Sequence, residues 1–68
     1  MKIRFLKDIG LDLFTHTGEP TETTFLKWNE VSVKELIEID SYHYDIILPN
    51  DDTLCSVKKE CFEVLDKI

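Results

Sequence analysis

From Tyr42 to Val57 the chain reads Tyr-His-Tyr-Asp-Ile-Ile-Leu-Pro-Asn-Asp-Asp-Thr-Leu-Cys-Ser-Val, and this stretch constrains the fold more than any other. Its first half is aromatic and β-branched, as pleated strands favour. In its middle, Pro49 presets φ, while Asn50, Asp51 and Asp52 tolerate a left-handed backbone. The pattern predicts two antiparallel strands joined by a tight turn. A single hairpin is marginal in water and exposes its edges, so further strands are required of the remaining residues.

Those residues supply them. Ile3, Phe5, Ile9, Leu11 and Leu13 share one phase of an alternating pattern, with Lys2, Arg4, Asp8 and Asp12 on the other. Period two predicts a half-buried strand rather than a helix. Lys7 falls in the apolar phase and Gly10 interrupts the run, which predicts a change of direction between them. Residues 15–24, Thr-His-Thr-Gly-Glu-Pro-Thr-Glu-Thr-Thr, are the most polar stretch and read as a long loop. Phe25, Val31 and Val33 resume the alternation, with a turn at Trp28-Asn29. Lys34–Asp40 fits either a strand bulged near Glu35 or a two-turn helix, and the neighbouring strands favour the former. Lys58-Lys59-Glu60 fits one 3₁₀ turn before a last strand from Cys61 to Leu65. The result is an all-β chain with five short strands in a small barrel, one domain over residues 1–68.

At 68 residues, 43% of them apolar and 32% charged, the chain has a globular composition but a small core. Fourteen acids against eight Lys and Arg give a net charge of −6, which disfavours direct contact with phosphate backbones. No apolar run approaches the roughly 20 residues that span a bilayer, and the amino terminus lacks the apolar core of a signal peptide. The expected setting is therefore cytoplasmic, with no membrane partner and with Cys55 and Cys61 reduced and buried. These cysteines, His16 and His43 lack the close ligand pairs of a zinc site, so no metal or other cofactor is expected.

The order of pieces resembles the SH3-like barrel family from Phe5 to Leu65. Phe5-Leu-Lys-Asp-Ile stands where that family carries Ala-Leu-Tyr-Asp-Tyr, and the polar residues 15–24 stand where it has a long loop. Phe25-Leu-Lys-Trp matches its Phe-Lys-Lys-Gly strand entry, and Val57-Lys-Lys-Glu-Cys-Phe its Val-Pro-Ser-Asn-Tyr-Val exit. The resemblance implies the barrel. It does not carry over proline-rich peptide binding, because Lys7, Ile9, Lys58 and Cys61 occupy the positions of the aromatic and proline ridge. The opening and closing segments also look like small barrel proteins of bacteriophages and bacterial mobile elements. That likeness implies a free-standing accessory protein that binds a host enzyme, in the host cytoplasm.

No phosphate loop, nucleophile motif or paired metal ligands are present, and a carboxylate pair such as Asp8 with Asp45 arises readily by chance in so acidic a chain. The reading is a non-enzymatic protein-binding module, with a homodimer as one form of partner. Trp28, the only Trp, is the first candidate anchor, with a plug over one end of the barrel as its structural role. Tyr42 and Tyr44 share a phase and are candidate binding residues, or core-edge residues whose hydroxyls reach water. The alternative is an acidic nucleic-acid mimic, since Asp40, Asp45, Asp51, Asp52, Glu60, Glu63 and Asp66 crowd the second half.

Overall fold

The computed structural model describes residues 1–66 as an all-β chain of eight short strands and one 3₁₀ turn. β1 (Lys2–Phe5) lies between β4 (Glu30–Ser32) and β8 (Phe62–Val64) in a three-stranded antiparallel sheet. A second sheet runs in the order β3 (Pro20–Phe25), β2 (Ile9–Phe14), β7 (Thr53–Lys58), β6 (His43–Ile47), β5 (Glu35–Glu38), again antiparallel throughout. No helix among the described residues is long and apolar enough to cross a membrane.

Alternation in the sequence becomes two facing apolar surfaces. Ile3 and Phe5 of β1 are fully buried, while Arg4 between them points out and pairs with Glu30 at 3.3 Å and Glu63 at 3.4 Å on its two neighbours. In the larger sheet, Leu13, Leu54, Ile46 and Leu36 form one inward row across four strands. Ile3, Phe5, Leu11, Val33, Ile46, Leu54, Val57 and Phe62 close the core between the sheets. Phe5 stacks on Phe25 with ring centroids 4.6 Å apart. Complete burial of an aliphatic or aromatic side chain is worth about 1.5–3 kcal/mol, so this small set dominates stability.

Five strands are expected from the periodicity and eight are present, for identifiable reasons. The expected strand over 31–40 is split: Val33 N–H still donates to Met1 O of the first sheet, whereas Lys34 N–H donates to Ile47 O of the second. The chain thus changes sheets at Val33-Lys34, and no helix forms over Lys34–Asp40. The long loop 15–24 shrinks to the tip of a hairpin, because Pro20–Phe25 pairs along its whole length with Ile9–Phe14. Gly18 serves that tip with φ 85°. The expected 3₁₀ turn falls one residue later, at Lys59–Cys61.

The central hairpin forms as expected, with one irregularity. Between the pairs Tyr44↔Val57 and Ile46↔Leu54, β7 carries one residue more than β6. The bulge is accommodated by Ser56 at φ 53°, whose N–H donates to Asp45 Oδ1 at 3.0 Å. At the far end, Asp51 takes φ 70° in the predicted turn. There Asp52 accepts the His16 N–H at 2.9 Å, tying this turn to the tip of the β2–β3 hairpin.

Candidate functional site

Trp28 sits at the third position of a tight turn, Leu26–Asn29, that joins β3 to β4. The turn is closed from three sides: Asn29 N–H donates to Leu26 O at 3.0 Å, Leu26 N–H to Asn29 Oδ1 at 2.9 Å, and Lys27 N–H to Asp8 Oδ1 at 2.7 Å. It is moored to the core strand, since Trp28 N–H donates to Phe5 O and Phe5 N–H to Asn29 O. The backbone at Trp28 has φ 74°, a value that turns normally assign to Gly. Its indole is not a plug. Trp28 and Leu26 are each 58% exposed, and the Lys27 ammonium lies 5.0 Å from the indole centroid.

Tyr42 belongs to a second, differently built loop, residues 39–42 between β5 and β6. Asp40 organises it by accepting the N–H groups of Tyr42 at 2.7 Å and His43 at 3.0 Å, and the His43 Nδ1 at 3.0 Å. The Tyr42 N–H foremost, and then the His43 ring, hold the Asp40 carboxyl below its ordinary range, outweighing a smaller opposing effect of desolvation. Tyr42 O in turn accepts the Lys59 N–H at 2.8 Å, joining this loop to the 3₁₀ turn. Between them lies a cleft of about 550 Å³ lined by Ser41, Tyr42, His43, Lys58, Lys59 and Glu60.

Tyr42 and Tyr44 do not form one aromatic face. Tyr42 lies outside β6, which begins at His43, and is 74% exposed. Tyr44 is half-buried against the core, edge-on to Phe62 at 6.0 Å. It lines a separate concavity of about 470 Å³ with Leu36, Lys59, Phe62, Glu63 and Val64. Among the described residues, Lys59 is the one that lines both, a juxtaposition of residues 41–44 with 58–64 that local pattern does not reveal. Its one sequence signal is the pairing expected of strands joined by the 49–52 turn.

Other expected groups have structural duties. Asp8 and Asp45 hold separate backbone N–H groups, of Lys27 and Ser56. His16 is an exposed loop residue, 3.4 Å from Asp52 through Nδ1. Partial burial disfavours the Asp52 charge, but bonds from the His16 N–H, the Asn50 amide and the His16 ring prevail and lower its pKa. Cys61 is buried as expected, whereas Cys55 is only half-buried. Desolvation, followed by the nearby Asp45 and Asp12 charges, pushes the Cys55 thiol up and away from a reactive thiolate. Among the described residues, no three His, Cys, Asp or Glu side chains converge on a metal-sized site.

Comparison with protein-family models, curated proteins and solved structures gave no match.

Proposed function

We propose that the chain is a protein-binding module without chemistry of its own, and that the Leu26–Asn29 turn is its contact point. The observation that carries this reading is the backbone of Trp28. A non-Gly residue in the left-handed region costs about 1–3 kcal/mol, and such outliers concentrate where structure serves binding or catalysis. Here the strained residue is the only Trp, more than half exposed beside an equally exposed Leu26. Trp is the residue type most enriched among interface anchors, and Lys27 gives the turn a polar margin.

The architecture we infer for this module is an SH3-like barrel. Support comes from the order of elements: a hairpin after the first strand, a turn at 26–29, a strand bent between two sheets, the central hairpin, and a 3₁₀ turn before the last strand. Such a scaffold is rigid enough to present a turn without ordering it at the moment of contact, which lowers the entropic cost of association.

A second reading, charge-based mimicry of a nucleic acid, has a narrower basis. The register places Asp12 opposite Glu22, and Asp12 and Asp45 both bear on Cys55, so these acids share the outer face of the larger sheet. One experiment separates the two. Wild-type protein and Trp28→Ala are used as baits in an extract of the source organism, after circular dichroism shows both folded. Anchor binding predicts a partner that wild type retains and Trp28→Ala loses, with little response to added salt. A partner held equally by both and shed steeply with salt belongs to the acidic face; absence of any partner, with turnover detected instead, defeats the module reading.

A further inference from the structure

The Tyr42 cleft differs in charge from the rest of the molecule. In a chain of net charge −6, it presents two adjacent lysines, Lys58 and Lys59, on one wall. Arg4 and Lys34 are each paired with carboxylates, but neither Lys58 nor Lys59 has a carboxylate partner within 4 Å among the described residues. The acid of the adjoining loop, Asp40, is already committed to the Tyr42 and His43 N–H groups and the His43 ring. Glu60 is the sole acid lining the cleft.

Shape adds a second requirement. Lys59 lines both the 550 Å³ cleft and the 470 Å³ concavity, so the two meet at its side chain. The second concavity is walled by the apolar or aromatic Leu36, Tyr44, Phe62 and Val64 together with Lys59 and Glu63, whose carboxylate is paired with Arg4 at 3.4 Å. A ligand spanning both would place negative charge at Lys58 and Lys59 and an apolar side chain a few residues away. The Tyr42 ring and the lysine stems provide apolar contact beneath the charged heads. Repulsion from more distant acids is screened beyond about 8 Å at physiological salt, so the contact is governed by Lys58 and Lys59 against Glu60 and the Arg4-paired Glu63.

We propose that this paired groove binds an acidic segment of a partner protein, in which Asp or Glu residues adjoin a large apolar side chain. The site is independent of the Trp28 turn, and either can fail without the other.

The test is selection of a random twelve-residue peptide library on the full chain, followed by titration of the enriched peptides into ¹⁵N-labelled protein. Enrichment of acidic sequences bearing an apolar residue, with saturable shifts at Tyr42, His43, Tyr44, Lys58 and Lys59, is expected. The Lys58→Glu/Lys59→Glu variant, its fold checked by circular dichroism, should bind those peptides at least tenfold more weakly, and Trp28→Ala should bind them unchanged. Enrichment of basic or uncharged peptides at the groove, shifts confined to other residues, or no enrichment would each overturn the assignment. Peptides that track Trp28 instead would leave the anchor reading standing and remove this one.

Discussion

The Leu26–Asn29 turn and the loop over residues 39–42 each expose one large aromatic ring, yet they are built on opposite principles. In the first, Trp28 is held in a left-handed backbone, and Phe5 of the core strand supplies both main-chain partners that keep it there. In the second, an aspartate takes up the main-chain donors, no positive φ is needed at Tyr42, and the ring leans over a cleft. One ring is presented under strain by the core. The other is presented without strain by a local charge. Exposure alone therefore does not define a binding residue; what holds the ring in place says more.

The largest way to break this contrast is to weaken the packing of the core strand that carries the first turn. Phe5→Ala deletes the ring stacked on Phe25 and should cost about 3–5 kcal/mol. Urea denaturation followed by circular dichroism is the check, and the cost would be a large share of a small domain's stability. An effect below about 1 kcal/mol would mean that the Phe5 ring does not anchor the core strand on which the turn rests.

A smaller effect sharpens it. Trp28→Gly relieves the backbone strain but adds freedom to the unfolded chain and removes the Lys27 contact, so stability should hold or rise by up to about 1 kcal/mol. Tyr42→Gly has no strain to relieve and should lose about 0.5–1 kcal/mol. Paired denaturation curves decide, and a loss at both positions would show that Trp28 is not strained.

The smallest effect separates the two by pH. Asp40 has a folded pKa below its ordinary 3.8, so its support is fully present above that value and is lost as pH falls through the lower folded one. Amide resonances of Tyr42 and His43 should move together in that acid window, while that of Trp28, held by a carbonyl, should show no matching step. Asp40→Asn should abolish the step. Lys34 runs the other way: hydrogen bonding to Asp51 raises its pKa, so its contribution is present below 10.5 and lost as pH climbs past the raised value.

How much of this was legible depends on where the information lies. The hairpin from Tyr42 to Val57 was readable because β-branched strands and a Pro-Asn-Asp-Asp turn act over neighbouring residues. β1 and β2 were readable because Ile3, Phe5, Leu11 and Leu13 face a core at period two. β3 was hidden: an edge strand with one solvated face has little to bury, so Thr21, Glu22, Thr23 and Thr24 look like a loop. Their three β-branched threonines were the only hint. The turn at Trp28-Asn29 was readable, but its φ was not, since Gly is the residue that announces such geometry. The paired groove was only partly readable: the β6–β7 pairing sets His43 opposite Lys58, but its other walls, Leu36 and residues 59–64, come together only through tertiary packing.

β3 also sets how the molecule behaves in company. It forms the rim of the larger sheet and opens with Pro20, which has no N–H to offer, followed by Glu22 in mid-strand. A neighbouring chain attempting to zip onto that rim would meet a missing donor and then an unneutralised acid. Edge-to-edge pairing is thereby discouraged along β3, the longer of the two edge strands of the larger sheet.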